Sequence, residues 1–411
     1  MKSVRPRIIF LSQLFDPEPA VKGLKFAKAL IDQGFDVEVV TGFPNYPGGI
    51  VYPGYKISAL KREVMEGVNV TRLAVYPSHD ASGLKRILCY GSFTLTSAIY
   101  LLFGAKTYDA VFVSYPSLTA GLAAAFVRIF RRKPVILDIQ DMWPDSLPAT
   151  GMIINKKILS VVGRLCKLLY CIVDHIVVLS PGFKTLLQSR GVAAEKTTVV
   201  YNWADETESE AAMAPSVFAS ADKMRVLFAG NMGNAQGLAS ILQGAALVAE
   251  RAPGIQFYFL GFGLEVDHLK NICTAQALRN VTFLPRVSFS EVGAYLAAAD
   301  VLLVHLKDDP LFAITIPSKT QAYLRAGKAV LMGVKGDAAE LVKAAEAGVA
   351  FEPEDPQAFA DAVIAMYNSG PDTRRQQGAN GARFYKEHLS LAVGTGSLAS
   401  IFRKLLAGPT Q

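Results

Sequence analysis

The sequence predicts an α/β protein of two domains, each a doubly wound parallel sheet, facing each other across a cleft. Short apolar, β-branched segments alternate with helical segments, as in βαβ units. This alternation stops once, in a polar, alanine-rich stretch at 205–223, and then restarts. The length of 411 residues suits about two to three domains, and the 51% hydrophobic content can build large cores and excludes a disordered chain.

The first half, residues 1–204, is predicted to form the N-terminal Rossmann-like domain. Its predicted strands are Arg7–Ser12, Asp36–Thr41, Asn69–Val75, Ala110–Ser114, Val135–Ile139, His175–Ser180 and Thr198–Asn202. The segments VFVS and VILDI are almost wholly apolar, which is typical of strands in a sheet covered on both faces. Helices fit between the strands, for example Lys22–Gln33, which Gly34 closes.

Residues 224–385 are predicted to form the C-terminal Rossmann-like domain, after a linker at 205–223. Its predicted strands are Arg225–Ala229, Gln256–Leu260, Thr282–Leu284, Val301–His305, Ala329–Met332 and Val349–Phe351. A helical stretch over Leu389–Leu406 follows, and residues 386–411 are expected to return to the first domain. Ligands of such sheets bind beyond the carboxyl ends of the strands, so we expect the site there.

The formal net charge of +7 favours phosphate-bearing ligands, anionic membranes or nucleic acid as partners. The positive charge is not gathered in one stripe of the sequence, which disfavours nucleic acid. The four cysteines lack CxxC spacing, and no secretory signal is recognised, so we expect reduced thiols in a cytosolic protein.

One apolar stretch, Leu84–Lys106, is flanked by Lys85, Arg86 and Lys106. Polar residues interrupt it, and it reaches only the lower edge of membrane-spanning length. Apolar insertion together with attraction to anionic lipid predicts peripheral membrane attachment. The alternative is a helix that packs on the first sheet.

Several catalytic classes lack their sequence signals. The first predicted strand runs into SQLFDPEPAVKG, which contains no GxGxxG, and this disfavours an NAD(P) enzyme. Walker A, HExxH and GxSxG motifs are absent from the sequence. The histidines are scattered without a metal-ligand pair, so neither a metal nor a cofactor is predicted.

Two glycine-rich turns and one lysine are candidate phosphate ligands. The turns are Gly230–Gly237, after RVLFA, and Gly261-Phe262-Gly263, after FYFL. Backbone amides in such turns can approach phosphate, although tight strand-to-helix turns are the competing interpretation. Lys319 follows Pro317 and Ser318 at a predicted helix start, where a cation opposes the helix dipole unless it meets an anion. The alternative is a solvated lysine.

The order of GN-x-G-x-x-QG, GFG, PSK-x-x-x-Y-x-x-x-GK and an early DPEP…PNYP-x-G resembles glycosyltransferase family 4 over nearly the whole chain. The most similar branch is that of the bacterial transferases of surface-polysaccharide assembly, including fucosamine and fucose transferases for O-antigen, capsule or colanic acid. The resemblance implies a GT-B fold, retaining chemistry and no required metal. It also implies a nucleotide-diphosphate sugar held mainly by the C-terminal domain.

The sequence departs from the family pattern in three places. Asn231 and Gln236 stand where the phosphate turn usually has arginine and lysine. The family's two glutamates fall on Ile314 and Ala322, so Gln321, next to the second, is the candidate substitute for gripping the ribose. Gln140-Asp141 occupies the place of the usual histidine after the fifth strand.

Carried over residue by residue, the resemblance implies a donor site in the second domain. Its predicted members are Gly230, Asn231, Gln236, Gly237, Gly261, Gly263, Arg286, Ser318, Lys319 and Gln321. Lys319 is predicted to be the principal side-chain cation on the donor diphosphate, because Asn231 and Gln236 bring no charge. Arg286 is the second candidate.

Catalytic and acceptor-binding candidates lie in the first domain. DIQDMWPDSL places three carboxylates at and beyond a strand end, and Asp141 is predicted to stabilise the oxocarbenium-like centre or to orient the acceptor. Its alternative role is a helix cap. The predicted acceptor contacts are Asp16, Glu18, Pro19, Asn45 and Tyr46, in loops after the first two strands. Turn residues without a ligand are the alternative for PNYPGG.

Together with these residues, the resemblance implies a retaining, metal-independent glycosyltransferase of the hexosyltransferase class. Its donor is expected to be a UDP-sugar rather than a GDP-sugar, with an N-acetylfucosamine-like sugar as one candidate. Its acceptor is expected to be a polyprenyl-diphosphate-linked saccharide at the cytoplasmic face of the bacterial inner membrane. The alternatives are a non-hydrolysing nucleotide-sugar epimerase and a non-catalytic module that binds nucleotide sugars.

Overall fold

The computed structural model describes residues 5–78, 83–114, 117–149, 155–206, 218 and 222–407. The chain forms two compact units. The first comprises Met1–Tyr201 together with Leu391–Gln411, and the second comprises Asn202–Ser390. Most of the predicted linker at 205–223 lies outside the described residues.

The first unit contains an eight-stranded sheet in the order β3-β4-β2-β1-β5-β6-β7-β8. The strands are β1 Arg7–Leu11, β2 Asp36–Gly42, β3 Leu60–Met65, β4 Val68–Leu73, β5 Ala110–Val113, β6 Val135–Ile139, β7 His175–Val178 and β8 Thr197–Val199. Every neighbouring pair is parallel except β3–β4, which is antiparallel. The strands predicted for this half are confirmed, with ends shifted by up to three residues.

Strand β3 was not predicted. Its sequence LKREVM contains three consecutive charged residues, and the strand lies at the sheet edge with much of its surface exposed, so it lacks the apolar signal of a buried strand. The turn to β4 consists of Glu66 and Gly67, both with positive φ, of 45° and 87°. Such a two-residue turn matches the twist of an antiparallel hairpin.

The helices of the first unit mostly link its parallel strands. They are α1 Leu24–Asp32, α2 Gly83–Ile99, α3 Ser117–Phe126, α4 Ser146–Ala149, α5 Lys156–Ile172 and α6 Pro181–Ser189. A π-helical turn extends α2 over Tyr100–Gly104, and another extends α3 over Val127–Arg131. Helix α1 begins two residues later than predicted because Asp16 Oδ2 accepts the Leu24 amide at 2.6 Å.

The second unit is a six-stranded parallel sheet in the order β11-β10-β9-β12-β13-β14. The strands are β9 Met224–Asn231, β10 Ile255–Phe262, β11 Val281–Leu284, β12 Val301–His305, β13 Ala329–Gly333 and β14 Gly348–Ala350. The helices are α7 Leu238–Arg251, α8 Val266–Ala275, α9 Phe289–Ala298, α10 Pro310–Ala313, α11 Ser318–Arg325, α12 Asp337–Ala344, α13 Pro356–Asn368 and α14 Gly370–Phe384. All predicted strands of this half are present. The two doubly wound parallel-sheet domains predicted from the sequence are thereby confirmed.

The last helix, α15 Leu391–Leu406, belongs to the first unit. Phe402 is fully buried, and its ring centre lies 5.4 Å from that of Phe35 and 6.1 Å from that of Phe112. Arg403 also donates a hydrogen bond to the Gln33 carbonyl at 2.8 Å. The chain end therefore completes the core on which α1 packs.

Phe402→Ala should destabilise the first unit by about 3–5 kcal/mol, since it leaves a cavity between two aromatic rings. Urea unfolding followed by circular dichroism measures the loss, and amide exchange should quicken in β1 and β2 while the second unit keeps its protection. Ser400→Ala, at an exposed position of the same helix, is the control and should change stability by less than about 0.5 kcal/mol. Unchanged exchange in β1 would contradict this account of α15.

Candidate functional site

Two glycine turns lie side by side at the carboxyl ends of β9 and β10. Gly230 pairs in register with Gly261, and both have positive φ, of 130° and 139°. A Cβ atom on Gly261 would lie 2.1 Å from the Gly230 carbonyl oxygen, and one on Gly263 would lie 2.2 Å from the Met232 carbonyl oxygen. Only glycine permits this approach of two backbones.

The first turn is ordered by its own side chains. Gln236 Oε1 accepts a hydrogen bond from the Gly233 backbone amide at 2.9 Å and lies 3.5 Å from the side-chain nitrogen Nδ2 of Asn231. Gly237, with φ of 56°, then leads into α7. The N–H groups of the first turn of α7 lack intrahelical acceptors and carry the positive end of the helix dipole. Asn231 and Gln236 therefore shape a turn whose positive character comes from the backbone.

His305, at the end of β12, forms a hydrogen bond to this turn. Its Nδ1 lies 2.6 Å from the Gln236 carbonyl oxygen, and its Nε2 lies 3.1 Å from the Glu354 amide nitrogen. A carbonyl can only accept and an amide can only donate, so the ring carries its proton on Nδ1 and is neutral. Burial lowers the pKa of His305 accordingly. The sequence showed only a histidine at a strand end; these partners lie far away along the chain.

Lys319, in the first turn of α11, lies against the first glycine turn. Its Nζ is 3.6 Å from the centre of the Phe228 ring, and a Cβ atom on Gly230 would lie 2.8 Å from its Cε. No carboxylate in the described part of the chain forms an ion pair with it. Burial lowers the pKa of Lys319 to about 7. The site thus holds a desolvated ammonium group beside backbone amides.

Tyr323, one turn along α11, attaches this helix to β9. Its hydroxyl accepts the Ala229 amide at 2.9 Å and lies 3.2 Å from the Ala229 carbonyl oxygen. The tyrosine of the PSK-x-x-x-Y pattern had no role predicted from the sequence, yet it sets the distance between Lys319 and the glycine turn. Gln321 is 2% exposed, and its Oε1 has no described hydrogen-bond partner.

Of the other predicted donor residues, Arg286 and Ser318 are exposed. The Arg286 guanidinium lies 4.3 Å from the centre of the ring of Phe262, the residue that separates the two glycines of the second turn. Arg286 is thereby placed at the second turn, whereas Lys319 adjoins the first.

The three candidate carboxylates of the first unit have different surroundings. Asp138 is buried, with Lys22 Nζ 3.0 Å from its Oδ2, and the same oxygen accepts hydrogen bonds from Ser114 and Gln140. Asp145 pairs with Arg190. Asp141 is exposed, and its carboxylate has no hydrogen bond or ion pair among the described residues; desolvation by the surrounding protein raises the pKa of this carboxyl. Of the three, only Asp141 has a carboxylate that no described cation neutralises.

The loops that follow β1 and β2 are joined by Glu18. Its Oε1 accepts the amides of Asn45 and Tyr46, each at 2.7 Å. Burial raises the pKa of Glu18, although these hydrogen bonds act in the opposite direction. Glu18 and Asn45 are buried, while Pro19 is exposed and Tyr46 is half-buried.

The carboxylate of Asp16 holds the Leu24 amide, and Asn45 Nδ2 donates to the Phe43 carbonyl. The buried residues therefore build these loops, and acceptor contact by any of the five remains a prediction. The described residues contain no group of three or more His, Cys, Asp or Glu side chains able to hold a metal ion.

Two family models match the chain. Residues 21–203 match a model described as a glycosyl transferase 4-like domain, and residues 223–369 match one described as glycosyl transferases group 1. Among curated proteins, the putative colanic acid biosynthesis glycosyl transferase WcaI of Escherichia coli (strain K12) is 26% identical over 314 residues, 72% of this chain and 75% of that protein. The probable glycosyltransferase WbjE of Pseudomonas aeruginosa is 28% identical over 234 residues, 55% of this chain and 58% of that protein.

Solved structures share the fold over nearly the whole chain. Sucrose-phosphate synthase from Thermosynechococcus elongatus has a TM-score of 0.74 at 17% identity, covering 98% of this chain and 100% of that one. Anabaena HepE in complex with UDP and glucose has a TM-score of 0.64 at 16% identity, covering 96% and 99%. These likenesses confirm the GT-B fold that the sequence resemblance implies.

Asp141→Asn should raise the melting temperature slightly at pH 7. Because folding raises the pKa of this carboxyl, ionised Asp141 opposes folding above that pKa, and the penalty disappears where Asp141 is protonated in both folded and unfolded chains. The gain should therefore shrink in melts recorded at progressively lower pH. Asp145→Asn, which removes a partner of Arg190, should bring no such gain, and a lower melting temperature for Asp141→Asn at pH 7 would contradict the assignment.

Proposed function

This chain belongs to the glycosyltransferases that join a glycosyl transferase 4-like domain to a group 1 domain, and on that premise we propose that it transfers a sugar from a UDP-sugar to a lipid-linked saccharide in bacterial surface-polysaccharide synthesis. The observation that carries the proposal is the desolvated ammonium of Lys319 beside the glycine turn at Gly230.

The donor diphosphate fits the chemistry of this turn. When the bond between the anomeric carbon and the β-phosphate oxygen breaks, that oxygen keeps the electron pair. As the acceptor oxygen bonds to the anomeric carbon, the proton of its hydroxyl passes to the departing diphosphate. Positive groups on the leaving diphosphate favour this step. Backbone amides at the start of α7 and the charge of Lys319 supply them, with Arg286 as the further cation at the second turn.

The carboxylate of Asp141 is proposed to stabilise the oxocarbenium-like centre or to orient the acceptor, in a reaction that retains the anomeric configuration. Its support is the lack of a described cationic partner, since Asp138 and Asp145 are each neutralised by one. The acceptor is proposed to contact the loops containing Asp16, Glu18, Pro19, Asn45 and Tyr46.

Support for a UDP-sugar comes from HepE, whose solved complexes contain UDP and UDP-glucose. The buried carbonyl oxygen of the Gln321 side chain has no partner among the described residues, and a ribose hydroxyl could satisfy it in place of the family's glutamate. The names of the relatives, one of colanic acid biosynthesis, support a place in polysaccharide assembly and leave an N-acetylfucosamine-like sugar as one candidate.

The acceptor is proposed to be a polyprenyl-diphosphate-linked saccharide, which places the protein at the cytoplasmic face of the inner membrane. Helix α2, with its exposed apolar side chains, supports peripheral attachment there. Transfer of label from UDP-[14C]sugars to such an acceptor tests the proposal. Interconversion of nucleotide sugars without acceptor would identify an epimerase instead, and binding without turnover would identify a non-catalytic module.

Lys319→Met should lower turnover about a hundredfold, because losing a charge-assisted contact to the leaving diphosphate costs roughly 2–4 kcal/mol. Methionine keeps the packing against Gly230 and Phe228, so the melting temperature should not fall. UDP binding to the native protein should also take up a proton just above pH 7, because the anion raises a pKa that is about 7 in the free protein.

Calorimetry in buffers of different ionisation enthalpy measures this uptake, which Lys319→Met should abolish. Lys328→Met removes another partly buried lysine, away from the turn, and should leave both turnover and proton uptake unchanged. Near-normal turnover in Lys319→Met together with a large loss in Arg286→Ala would place the diphosphate at the second turn.

Turnover should persist in excess EDTA, because the positive groups at the first turn provide charge that a divalent cation would otherwise bring. The measurement compares initial rates in EDTA with rates in added Mg²⁺ or Mn²⁺. Loss of activity in EDTA that either metal restores would show that the reaction needs a cation.

A further inference from the structure

Three neighbouring helices of the first unit share an unusual composition. Helix α2 packs on α3, and α3 packs on α5, where a Cβ atom on Gly121 would lie 2.6 Å from Leu169. The sequences of the three helices and of the two π-helical turns contain no Asp or Glu. They contain several lysines and arginines, so this layer of the unit carries net positive charge.

The same helices expose large apolar side chains. These are Ile87, Leu88, Leu95, Ile99 and Phe103 on α2 and its turn, Phe126, Ile129 and Phe130 on α3 and its turn, and Ile158, Val161 and Leu168 on α5. Single exposed apolar residues are ordinary in proteins, but their concentration on adjoining helices marks an interaction surface.

The apolar side chains are most exposed where the two π-helical turns, Tyr100–Gly104 and Val127–Arg131, contact each other. Phe103 is 82% exposed and Phe130 is 69% exposed. The rings of Phe126 and Phe130 are stacked, with centres 6.3 Å apart and planes at 7°. The Arg131 guanidinium donates to the Leu102 carbonyl, which joins the two turns. We call these paired turns the aromatic tip.

Exposed cations lie next to the aromatic tip and along α5. Lys106, Arg131 and Arg132 are exposed beside it, and Lys156, Lys157, Arg164 and Lys167 are exposed along α5. Two carboxylates near these elements, Asp109 and Asp174, each have a cationic partner, Lys133 and Arg128. An apolar tip beside cations that no described carboxylate neutralises complements the interface of an anionic bilayer, whose acyl boundary accepts the aromatic rings and whose phosphates attract the cations.

Two helical stretches have the length and composition of a membrane span, Ile87–Gly104 and Gly370–Leu406. The first is held to the sheet along one side. Tyr100 donates to Glu38 at 2.5 Å, Thr96 donates to the Ala74 carbonyl at 3.0 Å, and Ser97 is buried. Spanning would break these contacts and carry hydroxyls into hydrocarbon. The geometry favours a helix that lies on the bilayer surface.

We propose that the aromatic tip inserts into the interface of an anionic membrane, with α2 and α5 lying along the surface on either side of it. The proposal rests on the proposed function for its biological reason, a lipid-linked acceptor, but the contact can be measured without turnover. It adds α5 and the turn of α3 to the membrane contact predicted from Leu84–Lys106 alone.

Flotation of the full-length protein with phosphatidylcholine vesicles, with and without phosphatidylglycerol, tests the proposal. The double variant Phe103→Ser/Phe130→Ser should bind anionic vesicles at least about tenfold more weakly, and Arg132→Glu should weaken binding only where phosphatidylglycerol is present. Val64→Ser, at an edge-strand residue that is 67% exposed, is the matched control and should bind normally. Turnover on a water-soluble acceptor should survive in all three, which separates failure of docking from failure of catalysis.

Phe130→Trp should show a blue-shifted emission on adding anionic vesicles and quenching by brominated lipid, whereas Val64→Trp should show neither, each measured against the native protein. Unchanged flotation of the folded double variant, or no spectral change in Phe130→Trp, would overturn the proposal. The proposal would also be overturned if light scattering showed that the native protein is a dimer and the double variant is not, while the double variant still bound vesicles normally. The aromatic tip would then pair with a second copy of the chain.

Discussion

The second unit depends on two strands that approach each other backbone to backbone at the point where they end. Gly261 lies against the Gly230 carbonyl so closely that no side chain fits between them. This close approach aligns the two glycine turns at the ends of β9 and β10. Because Gly230 has no side chain, the stem of Lys319 can pack against it. Tyr323 then fixes α11 to the same strand through Ala229. A side chain at Gly261 would therefore displace the ammonium group as well as the turn.

Charge in both units is placed where folding alone does not favour it. The stem of Lys319 packs against Gly230, and its ammonium faces the Phe228 ring, which offsets part of the desolvation. Burial nevertheless lowers the pKa of Lys319, so the offset is incomplete. Desolvation likewise raises the pKa of Asp141, whose carboxylate has no cationic partner among the described residues. Unneutralised groups of this kind are common at functional sites, where a ligand supplies the missing partner.

The sequence predicted most strands because buried parallel strands are apolar throughout, and β3 escaped because an edge strand can be charged. The glycine turns and Lys319 were found from local patterns. The remaining features depend on contacts between distant residues: Lys22 with Asp138, His305 with Gln236, and Glu18 with Asn45. No periodicity reveals which partner occupies a carboxylate: the sequence singled out Asp141, but only the fold shows that Asp138 and Asp145 have cationic partners.

The distribution of positive charge is another feature that the sequence did not reveal and the fold does. Along the sequence the cations looked dispersed, yet packing of α2, α3 and α5 gathers many of them around one apolar surface. A surface of this kind left in water favours aggregation, since its apolar area gains free energy by being covered. Apolar insertion and attraction to anionic lipid each give only weak attachment, but together they hold a protein at a membrane reversibly. Reversible attachment would suit the proposed reaction, in which the donor is soluble in water and the acceptor is linked to a lipid.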